Sequence, residues 1–370
     1  MSVAPRIAHV ITPKTWRGGE QQAMYLVEEL QRLGVYQHIF CARGSATEAY
    51  CREHQLEHTA LKKRFSLDLS FAAGMAKTCR NLNLNILHPH GSGAHTFCIL
   101  SVDLFQNPCQ ILLHRRVDFP ISKSLFSRYK YNHRRIKRIV CVSEAIKTIM
   151  TKDLRNPQVL RVVYDGIDLN KFGEGKTRIL REEYGIPEGM RIVANIAALT
   201  QQKDYFTFID AASIVIHSGN QVKFLIIGDG KQRAQLEAYV SKKGLSPHIL
   251  FTGFREDIPT IFPEIDVLLF SSETEGLGST VLDALAAGVP VVSTNAGGIP
   301  EIIQHNVNGY LAPVKDPEEL AKGVELVLHH PEIGQRWVEA GKQVVRSFSR
   351  ENMAKGILRH YEEIIASEKN

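Results

Sequence analysis

Residues Ser271–Val292 read SSETEGLGSTVLDALAAGVPVV, and they follow directly on an apolar run, Asp266–Phe270 (DVLLF). Two acids, Glu273 and Glu275, and two glycines, Gly276 and Gly278, separate that run from a helical pattern in which Leu282, Leu285 and Ala286 share one face. Gly288 and Pro290 stop the helix, and a new strand is predicted over Val289–Ser293. A strand that passes to a helix through glycine presents unpaired backbone N–H groups and the positive end of a helix dipole, which attract phosphate. Glu275 and Asp283 add carboxylates suited to gripping neutral hydroxyls. Phosphate and polyol recognised together point to a sugar nucleotide.

Outward from this stretch, strand-like runs alternate with helical patterns, the mark of an α/β chain with parallel sheets. In the first half the predicted strands are Arg6–Ile11, Gln37–Ala42, Ile86–His88, Ile111–His114 and Arg138–Val142, with a helix over Glu20–Leu33 ending at Gly34. The series restarts with Arg191–Ala197, Lys223–Ile227, Ile249–Thr252, Asp266–Phe270 and Pro290–Ser293, and a last helix is predicted over Ser349–Ser367. The polar, glycine-containing stretch Gly166–Lys176 (GIDLNKFGEGK) reads as the linker. A length of 370 residues suits two domains, each with its own core.

An apolar fraction of 44% and a charged fraction of 23% are ordinary for a globular protein. Met1–Lys14 reads as neither secretory signal nor membrane span, and no apolar run elsewhere approaches the length a span requires. The six cysteines contain no C-x-x-C pair and are expected to be reduced, buried thiols. The net charge of +6 is uneven: Arg115–Arg138 holds nine Lys or Arg against one acid, Asp118, interleaved with Phe119, Ile121, Leu125, Phe126, Tyr129 and Tyr131. Such a stretch fits an anionic membrane surface, a nucleic acid or simply a solvated helix face. Lys62, Lys63, Arg64 and Phe65 form a smaller cluster of the same kind.

The 271–292 stretch resembles the signature of the family 4 retaining glycosyltransferases, in which Glu, seven residues and a second Glu lie inside an EGLG…EA-A-G-PVV frame. Glu275 matches the first acid, and Asp283 stands where the second Glu is usual. Further matches fall in order: Arg17–Gln22 (RGGEQQ), Val142–Lys147 (VSEAIK), Val162–Phe172 (VVYDGIDLNKF), Leu225–Arg233 (LIIGDGKQR), Phe251–Phe254 (FTGF) and Ala296–Ile303 (AGGIPEII). The resemblance implies the GT-B fold, two Rossmann-like domains facing an interdomain cleft. It places an acceptor-binding domain at 1–168, a nucleotide-sugar-binding domain at 169–350, and a helix at 351–370 that crosses back to the first domain.

By the same resemblance Glu275, His114 and Lys203 are the catalytic candidates. Gly18, Gly19, Gly276, Leu277, Gly278, Asp283, Gly230 and Arg255 are the donor-binding candidates. Glu275 is expected on donor-sugar hydroxyls, Asp283 on the ribose, and His114 at the acceptor side. Relatives carry Gly-Arg-Leu, three residues, then Lys; here Ala198 occupies the Arg position and Lys203 the Lys position. Lys203 then holds the diphosphate with backbone help, or Arg17, Lys231 or Arg255 supplies the missing cation, or transfer has been lost. The implied activity moves a sugar from an NDP-sugar, UDP-linked, to a lipid-linked or polysaccharide acceptor, as in lipopolysaccharide, capsule or exopolysaccharide synthesis. The NDP-sugar is a substrate, so no cofactor and no metal are expected. The expected location is the cytoplasm, peripheral on the inner face of the cytoplasmic membrane through Arg115–Arg138, with no nucleic-acid partner.

Other classes fit less well. A nicotinamide oxidoreductase wants G-x-G-x-x-G, but Arg233 stands where the third glycine after Gly228 and Gly230 belongs. The P-loop pattern G-x-x-x-x-G-K-[ST] is missing from the sequence, as is an Asp-x-Asp pair. His88 and His90 (H-P-H) lack a third ligand at metal spacing. The remaining rival is a catalytically silent nucleotide-sugar-binding protein or partner subunit of the same fold.

Overall fold

The computed structural model describes residues 4–173, 175 and 177–368; Glu174 and Lys176 of the expected linker, and Met1–Val3, lie outside them. The chain divides into two compact units, the first running to Gly166 and resuming at Arg350, the second comprising Ile167–Ser349.

In the first unit the elements follow as β1 (Arg6–Ile11), α1 (Gly18–Arg32), β2 (Tyr36–Ala42), α2 (Ala46–Glu53), β3 (His58–Leu61), α3 (Leu69–Asn81), β4 (Ile86–Pro89), α4 (Ser92–Phe105), β5 (Gln110–Arg115), α5 (Leu125–Tyr131), β6 (Ile136–Cys141), α6 (Glu144–Thr151) and β7 (Leu160–Val162). The strands form one parallel sheet in the order β3-β2-β1-β4-β5-β6-β7. The second unit runs α7 (Ile179–Tyr184), β8 (Arg191–Ile196), α8 (Tyr205–His217), β9 (Val222–Ile227), α9 (Arg233–Lys242), β10 (Ile249–Gly253), α10 (Ile258–Ile261), β11 (Val267–Phe270), α11 (Ser279–Ala287), β12 (Val291–Thr294), β13 (Tyr310–Ala312), α12 (Pro317–His329) and α13 (Pro331–Val345). Its parallel sheet has the order β10-β9-β8-β11-β12-β13. Both are Rossmann-like, with the strand order reversing at β1/β4 and at β8/β11.

The central strands bury almost every residue because helices cover both sheet faces, which is why they read as continuous apolar runs. Three edge strands escaped the sequence reading: β3, β7 and β13. They are four, three and three residues long, too short to show a period against their surroundings. All six cysteines are buried and free.

The last helix, α14 (Arg350–Ser367), belongs to the first unit. Its Met353, Ala354, Ile357, Tyr361 and Ile364 pack with Ile7 of β1, Leu26 and Leu30 of α1, Ile86 of β4, Leu112 of β5 and Val140 of β6. Burial of each large side chain stabilises the unit by about 1.5–3 kcal/mol. Arg350 adds ion pairs to Glu28 at 3.1 Å and Glu29 at 2.8 Å. Ile357→Ala, at a fully buried position, is expected to destabilise the protein by about 2–5 kcal/mol. Urea denaturation checks this, and a loss below about 1 kcal/mol would mean that α14 does not carry this core.

Candidate functional site

In the second unit the predicted residues gather where the sheet reverses. The loop leaving β8 passes Ala197–Thr200, makes a single 3-10 turn over Gln201–Lys203, and enters α8 through Asp204. Asp204 adopts a left-handed backbone (φ 42°), and its carboxylate accepts from Thr207 N at 3.3 Å and Thr207 Oγ1 at 2.7 Å. Tyr205 OH donates to Ala197 O at 3.0 Å, so the loop is tied at both ends. Lys203 Nζ therefore points across the reversal to Glu275, at 2.9 Å from Oε1 and 2.7 Å from Oε2. The two side chains are 20% and 13% exposed, so the pair faces solvent on one side only.

Glu275 sits in the loop between β11 and α11, and that loop is braced from behind. Gly298 N donates to Glu275 O at 3.2 Å, and a Cβ on Gly297 (φ 51°) would stand 1.8 Å from the same oxygen. Only glycine fits there, which gives the AGGIPEII segment its role in holding Glu275. Ser271 Oγ donates to Lys203 O at 3.0 Å, and Glu273 N to Gln202 O at 2.8 Å, joining the two loops directly. Among the described residues, the N–H groups of Gly276, Leu277 and Gly278 donate to no protein acceptor, and they lead into the N-terminus of α11. Thr274 Oγ1 and Asn195 Oδ1 are buried beside these loops without a partner. Free donors, a helix terminus, a lysine and orphaned polar atoms together make a place for a polar, anionic ligand.

The other predicted residues of this unit stand as follows. Asp283 lies in α11 and is ion-paired to Lys171 at 2.7 Å; burial pushes its carboxyl up and Lys171 pulls it back down. Gly230 is needed for close approach, since a Cβ there would stand 2.4 Å from Leu199 O. Arg255 is consumed by Asp257 at 2.7 Å, Glu183 at 2.7 Å and Tyr184 at 3.2 Å, so its guanidinium is not a free cation. Lys171 was missed by the sequence reading because its partner is more than a hundred residues away along the chain.

In the first unit, the reversal at β1/β4 brings Gly18 and Gly19 at the start of α1 near the loop leaving β4. A cavity of about 410 Å³ lies there, lined by Gly19, His90, Gly91, His114, Arg116 and Lys130 among others. His114, the last residue but one of β5, has its Nδ1 hydrogen-bonded to His88 Nε2 at 3.1 Å, while its Nε2 lies 3.6 Å from Asp165 Oδ1. Burial and the Arg116 charge hold His114 well below the usual histidine range, so it is a neutral imidazole, its Nε2 buried without a hydrogen-bond partner. Arg116 Nε reaches both oxygens of Asp165, at 3.0 and 2.9 Å. Neither Arg116 nor Asp165 stood among the site candidates.

The histidines hold more than the H-P-H spacing suggests. His9 of β1 joins His88 and His90, with ligand atoms of all three within 4.8 Å of one another. Ring nitrogens are already engaged: His9 Nδ1 with His90 Nε2 at 2.9 Å, His9 Nε2 with Gln37 at 3.1 Å, and His88 Nδ1 with Tyr361 OH. The Arg116 guanidinium lies 3.3 Å from His90 Nδ1 and opposes a second cation there.

The basic stretch Arg115–Arg138 is not one amphipathic face. Arg115 and Lys130 are buried, Arg116 is paired with Asp165, and Lys137 and Arg138 pair with Glu368 at 2.9 Å and Glu363 at 3.2 Å. Lys123, Arg128 and Arg134 remain exposed, around Leu125 (86% exposed), Phe126 and Tyr129 of α5. Lys63 and Arg64 of the smaller cluster are also engaged, by Thr12 O at 3.0 Å and Asp68 at 2.9 Å. Among the described residues no helix is long and apolar enough to cross a membrane.

Comparison with known proteins agrees with this architecture. Residues 16–171 match the family model described as Glycosyltransferase Family 4, and residues 176–344 match Glycosyl transferases group 1. The 2-deoxystreptamine glucosyltransferase of Streptomyces kanamyceticus is 30% identical over 64% of this chain, a match that spans 63% of that protein. The N-acetyl-alpha-D-glucosaminyl L-malate synthase of Bacillus anthracis is 26% identical over 82% of this chain and 81% of its own length. The crystal structure of Anabaena HepE, in complex with UDP and glucose, superposes with a TM-score of 0.85 at 18% identity, over 97% of this chain and 100% of that one. The chain belongs to the family 4-type glycosyltransferases of GT-B fold.

Burial of the histidines makes stability depend on pH. Desolvation lowers the pKa of His9 from 6.5 to about 3, and pushes His88, His90, His95 and His114 well below the usual range. In the unfolded chain these groups take up protons below about pH 6.5, whereas in the folded chain they do not. Stability is therefore intact above that pH and falls as pH drops, by about 1.4 kcal/mol per pH unit for each histidine. Urea midpoints measured from pH 7.5 to 5 are expected to fall steeply. His9→Gln should flatten the slope by about one proton's worth; an unchanged slope would show that His9 is not held neutral.

Proposed function

We propose that this glycosyltransferase is a retaining enzyme that moves a sugar from a UDP-linked donor to a lipid-linked or polysaccharide acceptor. The second unit binds the donor and the first unit binds the acceptor. The observation that carries the reading is the Lys203–Glu275 pair, held at the strand reversal beside the three free amides of Gly276–Gly278. The amides, the N-terminus of α11 and Lys203 are donors aimed where charge grows as the nucleoside diphosphate leaves. Glu275, freed from part of its contact with Lys203 by the incoming phosphate, accepts hydroxyls of the donor sugar. Asp283, one methylene shorter than Glu, takes the ribose hydroxyls only by sharing itself with Lys171, which also brings a cation into a site where Ala198 supplies none.

His114 orients the acceptor hydroxyl as a neutral imidazole. The acceptor attacks on the face from which the diphosphate departs, and a departing phosphate oxygen takes the acceptor proton. The chain thus needs no nucleophilic side chain of its own, no metal and no cofactor. HepE, a structure of the same fold, holds UDP and glucose, which supports a UDP-linked donor here. Relatives such as the E. coli UDP-Gal:alpha-D-GlcNAc-diphosphoundecaprenol alpha-1,3-galactosyltransferase, 25% identical over 67% of this chain, support a lipid-linked acceptor in polysaccharide assembly. The exposed cations Lys123, Arg128 and Arg134 around the apolar tip of α5 suit docking on the anionic inner face of the cytoplasmic membrane.

Two measurements test this. Lys203→Ala is expected to weaken UDP binding about 10-fold or more by calorimetry. Glu275→Ala should lower release of UDP from the true donor at least about 100-fold, and unchanged turnover would remove Glu275 from the site. Wild-type protein that binds donor sugars yet turns none over with any acceptor would instead favour the silent binding protein that Ala198 permits. For the membrane, Lys123, Arg128 and Arg134 changed together to Ser should reduce sedimentation with anionic liposomes about 100-fold in partition coefficient; no reduction would return this face to solvent.

A further inference from the structure

The cavity at the carboxyl end of β5 contains an electrostatic arrangement that the transfer chemistry above does not use. Lys130 is 4% exposed and Arg115 is 7% exposed, and they are close enough for the Arg115 charge to act on Lys130. Two buried cations side by side normally require carboxylates, because an uncompensated buried charge is strongly unfavourable. Here none is supplied. Lys130 Nζ donates to Ser92 O at 3.1 Å, Ser92 Oγ at 2.9 Å and Thr96 Oγ1 at 3.2 Å, all neutral oxygens. Arg115 donates to Tyr131 OH at 2.8 Å and to Phe119 O, and its Nε is buried with no partner. Among the described residues lining the cavity there is no aspartate or glutamate.

The backbone adds positive potential of the same sign. Gly91, at φ 142°, caps the 14-residue helix α4, and Gly19 lies in the first turn of the 15-residue helix α1. Both glycines line the cavity, and a Cβ on either would meet nothing within 4 Å. The N-terminus of α4, which has no acid in its first turn, a lysine and an arginine therefore converge on one open volume. The opposite wall is apolar, with Val117 and Phe119 part-exposed and Leu113 and Ile121 buried.

We infer that this cavity is a phosphate seat, in which Lys130, Arg115 and the amino end of α4 bind a phosphate carried by the acceptor. This rests on the reading of the first unit as the acceptor half, and it narrows the acceptor to a phosphorylated molecule. A bound phosphate supplies the counter-charge that the fold withholds from both cations. The apolar wall further favours a phosphate borne on a hydrocarbon chain over one borne on a sugar.

Burial and the Arg115 charge lower the Lys130 ammonium to about 8, so the empty cavity leaves it largely deprotonated at pH 8.5, and a phosphate dianion draws a proton back onto it. Calorimetry at pH 8.5 with inorganic phosphate, on full-length protein saturated with UDP so that the nucleotide site is occupied, tests the seat. The expected result is binding with net proton uptake, read from buffers of different ionisation enthalpy, and weakened about 10-fold or more in Lys130→Met. Farnesyl phosphate binding more tightly than glucose 6-phosphate identifies a lipid-borne phosphate, and equal binding a soluble one; either supports the seat. Absence of phosphate binding in the UDP-saturated protein overturns it, as does phosphate binding that a folded Lys130→Met variant leaves unchanged. The uptake measurement uses wild-type protein, so it stands even if Lys130→Met fails to fold. UDP release from the donor is followed in parallel: if turnover persists while phosphate does not bind, the seat is wrong and the transferase reading survives.

Discussion

A parallel sheet whose strand order reverses has to send two neighbouring loops off in opposite directions, and the gap they leave cannot be closed by the backbone. The candidate site residues of this chain collect at two such gaps, β1/β4 and β8/β11. Helices α1, α4, α8 and α11 follow the strands that flank these gaps. Their unpaired amides make each gap electropositive before any side chain is added. The sequence then adds Lys203 at one gap and Lys130, Arg115 and Arg116 at the other.

Charge is arranged differently at the two gaps. In the second unit each candidate carboxylate has its own lysine, Glu275 with Lys203 and Asp283 with Lys171. These pairs are part-exposed, so a ligand can exchange with one partner without stranding the other in a dry interior. In the first unit Asp165 is matched by Arg116, yet Lys130 and Arg115 face only neutral oxygens. Such asymmetry fits two ligands of different character, one offering hydroxyls as well as phosphates and the other offering chiefly negative charge.

The alternation of strand and helix was legible because both sheets are covered on two faces, so that their central strands are unbroken apolar runs. Glu275, Lys203 and the Gly276–Gly278 turn were legible because they lie in local motifs whose spacing survives without knowledge of tertiary structure. What spacing could not reveal were contacts made across the sheet. His9 meets His90 from 81 residues away, because β1 and β4 are neighbours at the reversal. Lys130 looked like one more surface cation in a basic run, and only the fold of α5 against α4 turns it inward. Arg255 carried the right charge near the expected motif, but Asp257, two residues on, holds it. The edge strands were missed because three or four residues carry too little pattern.

The course of α14 has a consequence for how the molecule comes into being. One core cluster of the first unit lies between α1 and a helix that the ribosome delivers only after the entire second unit has been made. During synthesis Ile7, Leu26, Leu30 and Val140 emerge early and wait, uncovered, while some two hundred further residues are added. Ile167–Ser349 holds all its own strands and helices, so its closure need not wait for α14, whereas this face of the first unit stays open until Arg350–Ser367 is made. Until the final helix arrives, the nascent protein carries an open apolar seam that a chaperone would be well placed to shield.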